Sequence, residues 1–225
     1  NCPRIRGSAP GCHHDDEGLS SSIGPCAQGG SGHRRSEGTD MSTTSPRQTG
    51  IIIRPATDRD VDVVAAIYTH HVLYGTATFE TEPPTSDEMH RRREDVVARG
   101  LPYLIAAAQD GTVLGYAYAT AYRPRPAYRN TVENSIYVRQ DMTGRGIGRH
   151  LLEALITECQ TRGLRQMVAV VGDSANLPSI HLHEAFGFRR VGVLRSVGRK
   201  HGRWLDTVLL QRPLGEGETS PPVGE

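Results

Sequence analysis

The sequence predicts an α/β fold in which helices cover both faces of one mixed sheet. Residues 131–138 form a β-branched and aromatic run that passes through a glycine-rich turn into an amphipathic helical pattern. The dipeptide Asp110-Gly111 separates two further strand patterns, as in a tight hairpin. Hairpins and helical crossovers along one chain are typical of a mixed sheet packed between helices.

Seven strand patterns and four helical patterns follow one another along the chain. The strands are expected at 51–54, 103–109, 112–120, 131–138, 166–171, about 188–195 and about 204–211. The helices are expected from 61 to Gly75, from Ser86 to about Arg99, from about Arg149 to about Arg162, and from Asn176 to near Gly187. Thr57 and Asp60 resemble a capping box with Asp in place of Glu. Ser86 can cap the second helix, and Asn176 suits a helix start.

The ends of the chain differ in composition from its middle. Residues 1–40 hold eight Gly, six Ser and three Pro but no aromatic residue. Such a segment cannot bury enough apolar surface to offset the entropy cost of ordering it. We therefore expect a disordered leader at 1–46, one folded domain at 47–214 and a flexible tail at 215–225. Met41 opens the segment before the first strand, and the natural protein is expected to start there.

Charge and composition argue against several classes of partner. A formal net charge of +1 gives no field strong enough to imply nucleic-acid or membrane partners. No apolar run is long enough to span a membrane and no signal peptide is recognisable, so the expected location is the cytoplasm. The cysteines and histidines of the leader have spacings that match no common zinc finger, and no metal is expected. These residues are Cys12, His14, Cys26 and His33.

The glycine-rich turn is the strongest chemical signal in the chain. A strand, three glycines (Gly144, Gly146 and Gly148) and a helix in succession aim backbone N–H groups and a helix N-terminus at one anion, usually a phosphate. A dinucleotide-binding pattern needs glycine where Arg149 or Leu151 stands, and a Walker loop needs a Gly-Lys-Ser/Thr tripeptide that the chain lacks. On these residues alone, a flexible turn without a ligand remains possible.

Several ordered segments resemble the GNAT superfamily of N-acetyltransferases, most closely its phosphinothricin and methionine sulfoximine acetyltransferases. The resemblance extends over about residues 51–212 and is carried by residues 53–57, 77–79, 115–117, 125–128, 131–133, 143–148, 182–188 and 198–206. The family's loop has Gln or Arg where Thr143 stands here. The resemblance implies a mostly antiparallel central sheet that is split at the fourth strand, and acetyl-CoA as co-substrate.

The same resemblance assigns residues to the acetyl-CoA site. They are Ile136, Tyr137, Val138, Gly144, Arg145, Gly146, Ile147, Gly148, Arg149, Asn176 and Ser179. In the family, a bulge in the fourth strand frees a backbone N–H near Ile136 for the acyl oxygen. Solvent-facing side chains at Arg145 and Arg149, and a helix cap at Asn176, are the structural alternatives.

Two side chains are candidates for proton transfer. Glu133 is an acid in the middle of a predicted central strand, where carboxylates are rare without a task or partner, and the family places its base there. His183 occupies the position from which the family protonates the leaving thiolate, and imidazole titrates near neutral pH. An exposed Glu133 and a His183 that only packs against the carrier are the alternatives.

The resemblance also implies a site for a small acceptor. Its residues are Phe79, Arg123, Arg125, Ala127 and Tyr128, and a guanidinium fork suits carboxylate or phosphinate oxygens. A solvated loop would carry the same arginines. Lys200, Trp204 and Asp206 lie in a C-terminal hairpin that the family uses near the pocket and the dimer contact.

The predicted function is acetyl transfer to the α-amine of a small L-amino-acid-like substrate, namely phosphinothricin, methionine sulfoximine or methionine sulfone. The expected assembly is a homodimer, and the expected biological effect is herbicide or antibiotic resistance. Acetylation of a protein N-terminus or a polyamine is the alternative within the same fold. A non-catalytic acyl-CoA-binding domain is the alternative from another class, although both proton-transfer candidates are present in the chain.

Overall fold

The computed structural model describes residues 50–222. The predicted leader, the start at Met41 and the leader's cysteines and histidines lie outside the described residues. Residues 215–222 turn back toward Arg165, whose guanidinium donates to the Pro221 carbonyl oxygen at 3.0 Å. The flexible tail at 215–225 stays a prediction. Among the helices of residues 50–222, none is long and apolar enough to cross a membrane.

Seven strands form one sheet in the order β1-β2-β3-β4-β5-β7-β6. Their bounds are β1 Ile51–Pro55, β2 Tyr103–Ala108, β3 Val113–Ala121, β4 Thr131–Val138, β5 Gln166–Gly172, β6 Arg189–Lys200 and β7 Arg203–Pro213. All neighbouring strands run antiparallel except the parallel pair β4–β5. The predicted mixed, mostly antiparallel sheet is confirmed.

Two pairs of helices cover the two faces of this sheet. They are α1 Val61–Tyr74, α2 Ser86–Ala98, α3 Ile147–Thr161 and α4 Leu177–Ala185. One buried cluster joins α1 and α2 to the sheet through residues such as Val64, Met89 and Tyr116. A second cluster joins α3 and α4 to the other face through residues such as Leu152 and Ile180. Because each face has its own apolar core, the sheet lies between two helical layers, as predicted.

A partly buried ion pair fixes the junction of β1 and α1. The Asp60 carboxylate accepts from the Thr57 N–H at 2.7 Å and from its hydroxyl at 2.8 Å, as in the predicted capping box. Both carboxylate oxygens also accept from the Arg54 guanidinium, each at 2.7 Å. The hydrogen bonds from Arg54 dominate in lowering the pKa of Asp60 to about 2.

Some predicted boundaries are wrong in detail. The cap of α2 is Thr85, whose hydroxyl oxygen accepts from the Glu88 N–H at 3.2 Å, so Ser86 is the first helical residue instead. Helix α3 begins at Ile147 and therefore includes part of the glycine turn. The closing hairpin is longer than predicted because its charged ends, such as Lys200 and Arg203, interrupt the apolar alternation that marks a strand.

The sheet divides at the fourth strand. Strands β4 and β5 pair only from Thr131 to Asn134, opposite Gln166 to Ala169, although both strands continue beyond that point. The predicted split is therefore present. The prediction of a bulge in β4 is wrong, because residues 132–138 of β4 pair with β3 in continuous register. Divergence of β5 is what frees the second edge of β4 from Ser135 onward.

Candidate active site

The gap between the diverging strands opens into a cavity of about 410 Å³. Its walls come from the free ends of β4 and β5, the glycine turn, the start of α3 and the face of α4. The predicted carrier residues that line it are Ile136, Tyr137, Val138, Gly144, Gly146, Ile147, Gly148, Arg149, Asn176 and Ser179. Arg145 is exposed and is not part of this lining. We call this cavity the carrier cleft.

The glycine turn has the backbone geometry of an anion cradle. Gly144 and Gly146 have φ values of 74° and 81°, in the left-handed region that favours glycine, and Gly146 is the N-cap of α3. A Cβ at either position would have no heavy atom within 4 Å, so the space above these two residues is open. The first N–H groups of α3 have no partner within the helix and are available to an anion beside the turn. This arrangement fits a pyrophosphate.

Side chains around the cradle differ from the family expectation in one respect. The Thr143 hydroxyl donates to the Gln140 carbonyl oxygen at 3.2 Å, so its proton is used within the turn. Arg149 stacks its guanidinium 4.9 Å from the centroid of the Phe186 ring. This contact holds a cation at the cleft while leaving its N–H groups available. Asn176 caps α4 by accepting from the Ser179 N–H at 3.4 Å. The same residue therefore caps the helix and lines the cleft.

His183 lies in the cleft wall in a defined tautomer. Its Nδ1–H donates to the Ser179 carbonyl oxygen at 2.7 Å, because a carbonyl can only accept. Its Nε2 lies 3.2 Å from Nδ2 and 3.3 Å from Oδ1 of Asn134. Burial lowers the pKa of His183, and only 4% of the residue is exposed. At neutral pH the ring is therefore neutral, with the Nε2 lone pair toward Asn134.

Asn134 is a site residue that the sequence analysis missed. It is buried and stands at the last paired position of β4, where the split begins. The sequence signal for Asn134 was a polar residue two positions after Val132, and therefore on the face of β4 that packs into the core under α3 and α4.

Glu133 projects from the opposite face of β4, because successive residues of a strand alternate. It shares that face with Tyr137, which belongs to the core under α1 and α2. Burial raises the pKa of Glu133, and within residues 50–222 no hydrogen bond or ion pair reaches its carboxylate. The two proton-transfer candidates therefore lie on opposite sides of the sheet, close to the point where β4 and β5 separate.

A second cavity of about 400 Å³ lies on the Glu133 side, between α2 and the sheet. We call it the acceptor cavity. Its lining includes Tyr68, Arg92, Tyr118, Thr120, Tyr122 and Arg123. Thr120 is the cross-strand partner of Glu133, although Glu133 itself lines neither cavity. Burial raises the pKa of Tyr118, and the negative charges of Glu80 and Glu133 add to this rise.

The predicted acceptor residues do not all meet in this cavity. Arg123 lines it, with its guanidinium 5.1 Å from the centroid of the Tyr122 ring. Arg125 and Ala127 are exposed on the adjoining turn, and Tyr128 packs edge-on against Tyr122 at 5.8 Å. Phe79 instead lies on the C-terminal hairpin, over Gly198. The structure thus places Arg123 at the cavity, Arg125 on the exposed turn that follows it, and Phe79 on the C-terminal hairpin.

His71 closes the inner end of the carrier cleft and was also missed. Its Nε2–H donates to the Val138 carbonyl oxygen at 2.9 Å, which ties α1 to the free end of β4. Burial lowers the pKa of His71, so the ring is neutral at neutral pH. A histidine inside an amphipathic helical pattern carries no sequence signal for such a contact. Among residues 50–222, no group of three or more His, Cys, Asp or Glu side chains could hold a metal ion.

Comparisons with known proteins agree with this geometry. The profile of the acetyltransferase (GNAT) family matches residues 64–188. The chain belongs to this family. It is 54% identical to a phosphinothricin N-acetyltransferase from Alcaligenes faecalis, over 76% of this chain and 86% of that protein. It is 38% identical to an L-methionine sulfoximine/L-methionine sulfone acetyltransferase from Pseudomonas aeruginosa, over 75% of this chain and 98% of that protein.

A solved structure gives the same result for the fold. A GNAT-superfamily phosphinothricin acetyltransferase from Sinorhizobium meliloti, crystallised with acetyl-CoA, superposes with a TM-score of 0.76. It is 44% identical and covers 78% of this chain and 94% of its own. The predicted fold and the predicted N-acetyltransferase class, with acetyl-CoA as co-substrate, are confirmed at the level of the family.

Proposed function

We propose that this protein transfers the acetyl group of acetyl-CoA to the α-amine of a small L-amino-acid-like substrate. Phosphinothricin, methionine sulfoximine and methionine sulfone are the acceptors favoured by the similarity to acetyltransferases of those compounds. The observation that carries the proposal is the split sheet, because the carrier cleft lies in the gap between β4 and β5, and Glu133 and the acceptor cavity lie on the α1–α2 side of the same strand β4.

The reaction is a direct attack of the amine on the thioester. Glu133 takes a proton from the substrate ammonium, and the free amine forms a C–N bond to the acyl carbon. A backbone N–H on the freed edge of β4 stabilises the developing oxyanion, which is worth about 3 kcal/mol for one preorganised donor. The nitrogen then loses its second proton to solvent as the C–S bond breaks, and the electron pair of that bond leaves with sulfur.

His183 supplies the proton for the departing thiolate from its minor imidazolium form, in which Nε2 as well as Nδ1 carries a proton. Burial lowers the pKa of His183, which makes its imidazolium form less populated but a stronger acid. Asn134 suits this exchange, because its Nδ2 donor and its Oδ1 acceptor lie at 3.2 and 3.3 Å from the same ring nitrogen. The imidazole can therefore gain and lose the Nε2 proton while keeping one hydrogen bond to Asn134.

The proposed function is tested by release of the CoA thiol from acetyl-CoA in the presence of single acceptors. Phosphinothricin, methionine sulfoximine and methionine sulfone should each give N-acetylated product by mass spectrometry, whereas ordinary amino acids and polyamines should react more slowly. Faster acetylation of polyamines or of peptide N-termini would contradict the proposal. If phosphinothricin is an acceptor, expression in the cytoplasm of a sensitive host should also give resistance.

Arg125 is proposed to bind the carboxylate or phosphinate of the acceptor. Arg125→Lys keeps the charge but loses the bidentate fork, and a hydrogen bond to a charged group contributes about 1.5–3 kcal/mol. The Michaelis constant for the amino acid should therefore rise by about 10- to 100-fold, while that for acetyl-CoA stays unchanged. Steady-state kinetics checks this.

Two controls accompany the Arg125 variant. Arg59→Lys, on an exposed turn before α1, should change neither constant. Methyl esterification of the substrate carboxylate should reproduce the defect, and the two changes should not add if they remove one interaction. Additive effects, or none, would show that Arg125 faces solvent.

We also propose that the protein is a homodimer that buries the outer face of the C-terminal hairpin. Strand β6 is an edge strand, and the hairpin exposes a group of large apolar side chains. They are Val191, Val193, Leu194, Val197 and Trp204. Val197→Glu should convert the dimer to a monomer in sedimentation velocity. Ile52→Glu, at an exposed apolar position on the opposite edge strand, should leave the dimer intact.

A further inference from the structure

The chain contains one lysine among its 26 basic residues, and the other 25 are arginine. That lysine, Lys200, is 4% exposed, whereas lysines are almost never fully buried unless paired. It stands at the end of β6, beside the turn of the C-terminal hairpin. Burial lowers the pKa of Lys200, while the charge of Glu80 opposes this shift. A compact ammonium is therefore kept at a buried position in a chain that otherwise uses guanidinium groups.

The partner of Lys200 lies far away in the sequence. Its Nζ donates to the Thr78 carbonyl oxygen at 2.8 Å, across 122 residues of chain. Thr78 belongs to residues 75–80, a segment between α1 and α2 that also carries Phe79 and that we call the acceptor loop. The lysine thus joins the C-terminal hairpin to this loop.

Other contacts hold the acceptor loop against the hairpin and the end of β5. His201 Nε2 donates to the Gly75 carbonyl oxygen at 3.2 Å, and the Thr76 hydroxyl donates to Asp173 at 3.2 Å. A Cβ at Gly198 would lie 2.4 Å from the Phe79 ring, so the ring packs directly on the β6 backbone. Among the groups in these contacts, Lys200 is the buried cation and Asp173 is the buried carboxylate.

Hydrogen bonds of Thr78 link the acceptor loop to the acceptor cavity. Its hydroxyl oxygen hydrogen-bonds the Tyr68 hydroxyl at 2.8 Å and accepts from the Glu80 N–H at 3.3 Å. The Glu80 carboxylate in turn accepts from the Arg92 guanidinium at 2.7 Å. Tyr68 and Arg92 both line the acceptor cavity. A continuous set of hydrogen bonds therefore runs from Lys200 to two walls of that cavity.

We propose that Lys200 is a positioning residue that sets the acceptor loop, and through it Tyr68 and Arg92, in the geometry that binds the amine substrate. This inference rests on the proposed function for its kinetic consequence. An ammonium suits the position because it is a compact charge on a flexible stem that can approach a single carbonyl oxygen, whereas a guanidinium is a planar fork made for two acceptors.

The kinetic test compares Lys200→Met with Lys200→Arg. Lys200→Met should raise the Michaelis constant for the amine about tenfold or more, since a hydrogen bond from a charged donor is lost. The acetyl-CoA constant should stay within about twofold, because Thr78, Tyr68 and Arg92 do not line the carrier cleft, which the acceptor loop reaches only through Ala77. Lys200→Arg should restore only part of the loss. Arg189→Met, at an exposed position at the opposite end of the same strand, is the matched control and should behave as the unmodified protein.

A chemical rescue separates positioning from bulk stability. Lys200→Cys alkylated with 2-bromoethylamine recreates an ammonium at nearly the same reach and should return the amine constant toward its original value. The unmodified protein, treated in the same way, controls for alkylation of its own cysteines. If Lys200→Met raises both Michaelis constants equally, or if alkylation restores nothing, Lys200 is only a structural residue and the proposal is wrong.

A spectroscopic measurement that needs no enzymatic turnover tests this inference separately from the proposed function. The chain has three phenylalanines, so fluorophenylalanine labelling gives three ¹⁹F signals, and Phe79→Leu identifies the one from the acceptor loop. Lys200→Met should shift or broaden the Phe79 signal and leave the other two in place. If the Phe79 signal shifts but no tested acceptor is acetylated, the proposed function is contradicted and the role of Lys200 in the loop is not. An unchanged Phe79 signal would overturn the role of Lys200.

Discussion

Replacing Glu133 with glutamine is expected to lower kcat by about 10²–10⁴-fold at neutral pH, since the amide keeps the shape of the carboxylate but cannot accept a proton. The dissociation constant for acetyl-CoA should barely change, because Glu133 projects from the face of β4 opposite the His183 wall of the carrier cleft. Steady-state kinetics and calorimetry measure the two quantities separately. Glu94→Gln, on an exposed position of α2, is a matched control that should retain full activity.

The pH profile gives this prediction a second, independent test. Burial raises the pKa of Glu133 above its ordinary value, so the carboxylate needed as base is lost as pH falls through that raised pKa. The acidic limb of kcat/KM should therefore lie at higher pH than an exposed glutamate would give. Glu133→Gln should remove this limb. Near-normal turnover with the same limb would place the base elsewhere, and His183 would be examined first.

Replacing Gly146 with valine is expected to weaken acetyl-CoA binding by about 10- to 100-fold, the loss of one charge-assisted hydrogen bond to phosphate. Two physical effects combine. Gly146 has φ of 81°, a conformation in which a β-branched residue is strained, so the first turn of α3 should shift. The new side chain would also occupy the open space through which the backbone approaches pyrophosphate. Calorimetry with acetyl-CoA measures the outcome.

Gly163 offers a control that separates obstruction of the pyrophosphate approach from backbone strain. Its φ is 75°, a Cβ there would also have no heavy atom within 4 Å, and it lies beyond the opposite end of α3. Gly163→Val should therefore lower the melting temperature about as much as Gly146→Val through the same backbone strain. Only Gly146→Val should weaken acetyl-CoA binding. Equal binding by both variants would exclude the glycine turn from the carrier site.

Some features of the site are local, and these could be predicted from the sequence. Strand β4 was placed at its observed bounds because its β-branched and aromatic residues form an uninterrupted run. The turn that follows needs left-handed backbone at Gly144 and Gly146, and glycine is the residue that adopts this readily. Alternation along β4 placed Glu133 on the face opposite Val132. In each case the deciding interactions lie within a few residues of one another.

The family resemblance extended this prediction to the split sheet and to the carrier residues, but it was wrong about the geometry of β4. The bulge implied in β4 is absent, because divergence of β5 already frees the strand edge that a bulge would free. Phe79 packs on the C-terminal hairpin whereas Arg123 lines the acceptor cavity, and their shared role in binding the acceptor stays a prediction.

The order of helices and strands, the two apolar faces of the sheet, and a glycine turn next to a strand carboxylate all follow from local patterns in the sequence. Which distant groups meet depends on tertiary packing. Asn134 reaches His183 across 49 residues, and Lys200 reaches Thr78 across 122. Periodicity reports which face of an element is buried, but not which side chain faces it from another element. Those partners, and the pKa shifts that their burial causes, depend on the packing of the whole domain.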